Sequence, residues 1–373
     1  MGATGDGPSP PAATTSPPPP PEGEGVETTT STGILPAEHW TQQAPVHDDD
    51  TDSSLGDTDN ASSTASLSAS VLEYRTIHGR TYHSERGVDA QSWTPNDGRQ
   101  NESMDINHHL LTIALDGRLF RAPLKDNIQK VIDIGTGTGI WAIDFADMFP
   151  NAEVIGTDLS PIQPTWVPPN LRFEIDDSTQ PWTYKDNTFD YVHMRYLFGS
   201  ISDWPGLYKE AFRCCKPGGY IEDFEASVVM FSDDGSLKED TPMSQWGKVF
   251  HEAGKKFNRP FTVVEDDTQQ KGMEEAGFVN LNVWDFKCPL GGWAQDPKLK
   301  QCGLYSHLAL DQDIEGYVLF MWSTVMGWSK EAIHVFIAHL RRQLRDKNVH
   351  GMFRMRVVYA QKPEKPKETV TTE

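Results

Sequence analysis

The chain has 373 residues, with 54 acidic side chains against 33 lysines and arginines and a formal net charge of −21. That balance excludes a general nucleic-acid binder, because nothing offsets the phosphate charge. No apolar run reaches the about 20 residues of a membrane span, and the length allows two domains or one large domain with a tail.

Residues 1–70 hold no lysine or arginine, eleven acidic residues, the run Pro17–Pro21, and Ser/Thr-rich patches at 28–32 and 62–70. Such a segment cannot bury enough apolar surface to offset its ordering entropy, which predicts a disordered tail over 1–70. It lacks the apolar core of a signal peptide. Met1-Gly2 could open a myristoylation motif, but position 6 is Asp. The proline run could dock in an aromatic groove on another protein; a solubilising tail is the simpler expectation. The four cysteines, 214, 215, 288 and 302, show neither Cys-x-x-Cys nor zinc spacing. No metal site is expected, and the chain reads as an intracellular protein of cytoplasm or nucleus with reduced thiols.

Residues 71–130 lead into the domain. Tyr74–His83 is too rich in aromatic and hydrogen-bonding side chains for a linker. A helix is expected over Asp105–Phe120, with Ile106, Leu110, Ile113 and Ala114 on one face. His108 and His109 on it have no carboxylate or thiol cluster beside them and read as ordinary histidines.

Residues 131–139, Val-Ile-Asp-Ile-Gly-Thr-Gly-Thr-Gly, organise the rest. Val131, Ile132 and Ile134 mark a buried parallel strand. Three alternating glycines follow, then a helical stretch from Ile140 to Ala146. A strand, a glycine turn and a helix N-terminus form the ligand-binding corner of a doubly wound α/β sheet. Three details favour S-adenosylmethionine over a dinucleotide. Position 140 is Ile, where the dinucleotide fingerprint wants Gly or Ala. Asp133 lies two residues before Gly135, where a carboxylate reaches an ammonium group and would repel a pyrophosphate. Asp158 ends a second strand, Glu153–Asp158, and offers an acceptor for ribose hydroxyls.

Strand three reads Leu171–Ile175 and ends at Asp176-Asp177, where a carboxylate can accept from an adenine amine. Strand four, Phe189–Arg195, brings His193 and Arg195 to the carboxyl edge, where open sheets bind ligands. A helix from Trp204 to Cys215 stops at Lys216-Pro217-Gly218-Gly219, and strand five runs Tyr220–Glu225. Helices over 236–257 and 265–276, a sixth strand Phe278–Phe286, an aromatic insertion 287–350 and a last strand Phe353–Ala360 complete the pattern. The fold expected is α/β: a seven-stranded, doubly wound, Rossmann-like sheet with helical insertions at 226–277 and 287–350. Residues 131–363 form the cofactor-binding domain, and 364–373 a flexible C-terminus. Arg341, Arg342 and Arg345 read as one solvated helix face.

These residues resemble the fungal LaeA-like family of S-adenosylmethionine-dependent methyltransferases, over about 74–363. The resemblance rests on the glycine corner and on Gly79–His83, Asp158–Pro164 (Asp-Leu-Ser-Pro-Ile-Gln-Pro), Asp177–Trp182, Gly199–Trp204, Leu207-Tyr208 and Lys216–Glu222. Gln100–His108 departs from the family's Glu-x-x-Arg-Leu-Asp signature, and Val349–Met352 from a pattern ending in tyrosine, so the likeness is to a paralogue. It implies a class I methyltransferase sheet, with Asp133, Gly135, Gly137, Gly139, Asp158 and Asp177 on the cofactor. Thr136, Leu159 and Arg195 join them, and Arg80 is expected to pair with the cofactor's carboxylate. His193 and Tyr82 are the candidate bases or positioning groups, with the segment Arg80–His83 closing over the methionine end. No Asn-Pro-Pro-Tyr string follows strand four, which counts against a nucleobase amine as acceptor. Two functions stay open. One is methylation of a small metabolite, as by tailoring enzymes of fungal secondary metabolism. The other is a nuclear regulator acting with a velvet-type protein.

Overall fold

The computed structural model describes residues 1–2, 33–43, 73–84 and 92–364. In chain order the elements are helix α1 (Ala37–Thr41), the hairpin β1 (Arg75–Ile77) and β2 (Arg80–Tyr82), and α2 (Gly98–Ala114). The sheet proper begins with β3 (Lys130–Ile134), α3 (Ile140–Met148), β4 (Glu153–Asp158), β5 (Leu171–Ile175) and β6 (Phe189–Arg195). There follow α4 (Trp204–Cys214), β7 (Cys215–Phe231), α5 (Pro242–Phe257), α6 (Thr268–Ala276) and β8 (Val279–Pro289). Helices α7 (Pro297–Gln312) and α8 (Ile314–Leu319), a π-helical turn (Phe320–Val325), α9 (Lys330–Arg345) and β9 (Met352–Gln361) close the chain.

Seven strands make one sheet in the order β5-β4-β3-β6-β7-β9-β8. The first five pair in parallel, and β9 runs antiparallel between β7 and β8. Val131, Ile132 and Ile134 are buried, as a strand covered on both faces requires. From β3 the chain winds outward to β4 and β5, then returns to the other side of β3 as β6. That reversal opens a crevice at the carboxyl ends of β3 and β6, where such sheets take their ligands.

Strands β4, β5 and β6 span the residues expected of them. Helix α2 does not: it runs Gly98–Ala114, not Asp105–Phe120. Asp97 caps it by accepting from the Gln100 N–H, and Asp116 and Gly117, both at positive φ, stop it. Its first turns bury Gln100 and Ser103, polar residues that carry no apolar period. Residues 33–43 correct the expected tail. There α1 packs on α9, and buried Trp40 meets Phe336 edge-on at 4.8 Å. The rest of 1–70 lies outside the described residues except Met1 and Gly2, as do 365–373 of the expected C-terminal segment.

The two insertions pack on each other beside the carboxyl end of β7. Trp246 and Phe250 of α5, Trp322 of the π-helical turn and Phe336 of α9 share one aromatic core there. Along β7 itself, Glu222, Asp223 and Glu225 are all buried. Burial pushes Glu222 and Asp223 up to about 7 and Glu225 well above its ordinary value.

Candidate active site

Gly135, Gly137 and Gly139 all take positive φ, at 66°, 59° and 81°. A Cβ on Gly135 would lie 2.5 Å from Leu197, and one on Gly139 would lie 2.3 Å from the Phe173 ring. Both the conformation and the space demand glycine.

The Asp158–Pro164 string holds this corner. Asp158 Oδ2 accepts from the Gly137 N–H at 2.8 Å, and Oδ1 from the Ser160 N–H at 3.0 Å. Gln163 Nε2 donates to the carbonyls of Gly137 and Ser160, at 2.7 and 3.0 Å. Burial pushes the Asp158 carboxyl up to about 6. Beneath the corner, Asp133 accepts from Thr136 Oγ1 at 2.6 Å and from His193 Nδ1 at 2.7 Å. The His193 ring stacks on Trp141 at 3.6 Å, and burial pulls its pKa down, so the imidazole is held neutral.

In front of the corner is a cleft of about 160 Å³, bordered by Gly135, Gly137, Asp158, Leu159, Asp177 and Asn96 among others. It carries three carboxylates, Asp158, Asp176 and Asp177, and no lysine or arginine among its described lining residues. Asp177 Oδ1 accepts from Thr179, while its Oδ2 is buried without a hydrogen-bond partner among the described residues. Asn96 Oδ1 is likewise buried and unpartnered among the described residues. A site of acceptors and bare glycine backbone suits a ligand rich in donors and carrying a sulfonium. It would repel a pyrophosphate. S-adenosylmethionine, with its ammonium, ribose hydroxyls and adenine amine, fits: Asp158 would take the ribose hydroxyls and Asp177 Oδ2 the amine.

Several expected site residues stand elsewhere. Arg80 pairs with Asp97 and with Asp313, not with a ligand in the cleft. Tyr82 is buried in the aromatic core against Phe320, away from the cleft. His193 and Arg195 border only a slot of about 10 Å³ behind the corner. There Arg195 Nη1 donates to His108 Nδ1 at 3.0 Å, and His108 Nε2 donates to Asp144. Strand alternation explains this, since 191, 193 and 195 share the face turned away from the cleft. Asp133, Thr136 and Gly139 support the corner without bordering the cleft. Of the segment expected to close the site, His83 borders the cleft together with Ser92 and Thr94–Asn96.

A second cavity of about 210 Å³ adjoins the first. The two share Thr94, Met104, Tyr196 and Ser200. Its walls are aromatic, from Trp93, Phe198, Trp246, Phe250, Tyr317 and Phe353, and none of its described lining residues is charged. Gln100 Oε1 is buried there without a hydrogen-bond partner among the described residues. Tyr196, at the neck, has φ 53°, a conformation that bulky residues adopt rarely and mostly at functional sites. Glu225 fixes the next two residues by accepting from the N–H groups of Leu197 and Phe198, at 2.8 and 3.1 Å. Sequence reasoning missed Tyr196, Met104, Thr94 and Ser200. Tyr196 carried a signal as the first residue past a central strand, and Ser200 one as a member of the Gly199–Trp204 string.

A family model described as a methyltransferase domain matches residues 106–283. "Methyltransferase pytC" of Aspergillus terreus is 39% identical over 307 residues, 82% of this chain and 93% of its own. "Probable methyltransferase tdiE" of Emericella nidulans is 35% identical over 74% of this chain and 85% of its own. "Secondary metabolism regulator LAE1" of Cochliobolus heterostrophus is 33% identical over 77% and 94%. With the switch-point cleft, the glycine corner and these relatives in hand, the chain belongs to the LaeA-like family of fungal S-adenosylmethionine-dependent methyltransferases.

Proposed function

We propose that this methyltransferase acts on a neutral, largely apolar small molecule of fungal secondary metabolism. One observation carries the reading: an uncharged, aromatic-walled chamber opens onto the cofactor cleft through Thr94, Met104, Tyr196 and Ser200. S-adenosylmethionine supplies a methyl group already activated by its sulfonium. The protein's task is therefore to align the acceptor and exclude water. Trp93, Trp246 and Phe250 give the acceptor flat apolar walls, and Tyr196 stands between it and the cofactor.

Relatives named as regulators of secondary metabolism support that setting. Four free, buried thiols favour a reducing compartment, cytoplasm or nucleus. Among the described residues no helix is long and apolar enough to cross a membrane. The same regulator-named relatives favour a second reading, a regulator of secondary metabolism; a velvet-type protein partner belongs to that reading only as a proposal. The test is methyl-labelled S-adenosylmethionine with a fungal extract separated into metabolites and protein. Label in the metabolite fraction is expected; label in protein alone would favour the regulator.

A further inference from the structure

We propose that Ser227, backed by Glu265, takes the proton from a hydroxyl acceptor in the aromatic chamber, making the reaction an O-methylation. The inference rests on the reading of that chamber as the acceptor site.

Ser227 borders the chamber and is only 5% exposed. Its hydroxyl donates to Glu265 Oε1 and accepts from the Val229 N–H at 2.9 Å. A hydroxyl oxygen has two lone pairs, so one remains for a donor in the chamber. Glu265 Oε2 is buried with no hydrogen-bond partner among the described residues. The proton that Ser227 gives up arrives at Oε1 along their hydrogen bond, which then reverses direction, and no other hydrogen bond of the carboxylate among the described residues has to break. His251 faces it from α5, and Arg356 reaches the neighbouring Val264 carbonyl from β9. Ser227 lies two residues beyond Glu225 on β7, where the pairing with β9 slips between Ala226 and Met230 and Ala226, Ser227 and Val228 all border the chamber. Glu225 in turn holds Leu197 and Phe198, next to Tyr196 at the neck. The relay thus stands on the chamber wall two residues along β7 from the carboxylate that holds the neck.

The step balances. An acceptor oxygen forms the new C–O bond as the methyl C–S bond breaks, and that electron pair stays on sulfur. The acceptor's proton passes to Ser227 Oγ as Ser227 gives its own to Glu265. An alcohol or phenol needs this help, whereas a neutral amine does not. A proton-accepting group of this kind contributes about 10² to 10⁴ in rate.

The probes are naphthalene, 1-methoxynaphthalene and 1-naphthol, three neutral flat molecules that differ in the hydroxyl. Their binding is read by quenching of the chamber tryptophans, with S-adenosylhomocysteine present. 1-Naphthol is expected to bind about tenfold tighter than the other two, the value of one good hydrogen bond. Ser227→Ala and Glu265→Gln should each erase that advantage, while naphthalene and cofactor affinities stay as in wild type. Those unchanged affinities, with thermal unfolding, show that the variants fold. Transfer of labelled methyl to 1-naphthol should fall at least about 100-fold in Glu265→Gln, and its residual rate should climb with pH as hydroxide takes over. A hydroxyl advantage that survives both substitutions would overturn the relay. So would binding without transfer in wild type, or equal pH–rate profiles in wild type and Glu265→Gln. If none of the three probes binds, the chamber is not the acceptor site, and the proposed function fails with it.

Discussion

Gly137 shows how much one missing methyl group decides. Its φ is 59°, and a Cβ there would stand 3.3 Å from Met104, at the floor of the cofactor cleft. Gly137→Val should abolish S-adenosylmethionine binding in calorimetry. Its strain should cost only about 1–2 kcal/mol of stability, so the variant stays folded. Equal affinity in both forms would remove the basis of the cleft assignment. Asp158 adds a dependence on pH. Burial raises its carboxyl to about 6, so it is ionised above that value and protonated below. The ionised form accepts ribose hydroxyls better than the neutral form. Cofactor affinity should therefore weaken as pH falls from 7 to 5. In Asp158→Asn it should be weak at both values, and a parallel decline in the mutant would place the titrating group elsewhere. Asp158 and the glycines could be read from the sequence because a strand end and a turn confine them. His193 and Arg195 were misplaced because proximity to the carboxyl edge was read without the alternation that turns them away.

At the scale of elements, the short helix α1 is the clearest case of structure hidden in a biased composition. Residues 33–43 sit within a stretch free of lysine and arginine and rich in Pro, Ser and Thr. Five residues cannot show a helical period, yet Trp40 is 1% exposed and wedged against Phe336. Its partner surface on α9 is some 300 residues away in sequence, beyond the reach of any local pattern. Trp40→Ala should cost about 3 kcal/mol, as buried tryptophan truncations do, and be seen as a lowered melting temperature. Removal of residues 1–32 should leave that temperature unchanged. The central strands were legible for the opposite reason. Val131–Ile134 and Val154–Ile155 lie under helices on both faces, so each reads as a short apolar run, broken only by Asp133. The chamber was not legible, because α2, β7, α5 and α7 each give it two to four residues, and no local pattern says that these faces meet.

Across the whole molecule, Arg80 ties three distant parts together. Its guanidinium spans Asp97 at the start of α2 and Asp313, which caps α8. Asp313 is fully buried, so removing its partner leaves a buried carboxylate with weaker compensation from Arg99 alone. Arg80→Met should cost about 3 kcal/mol or more in chemical denaturation, and should change cofactor affinity far less than Gly137→Val does. A loss of affinity with unchanged stability would return Arg80 to the cleft. The buried carboxylates of β7 bear on the molecule as a whole in another way. Asp223 and Glu225 lie side by side on one strand and are both pushed upward, chiefly by burial. At neutral pH the pair keeps at least one proton that the unfolded chain would have released. The folded protein is thus less anionic than the −21 counted from its residues. In native electrophoresis at pH 7 it should migrate towards the anode more slowly than that count and its size dictate. Asp223→Asn removes a negative charge from the formal count, but its mobility should change by less than one full charge, because the pair already shares a proton and Glu225 ionises more readily without its like-charged neighbour.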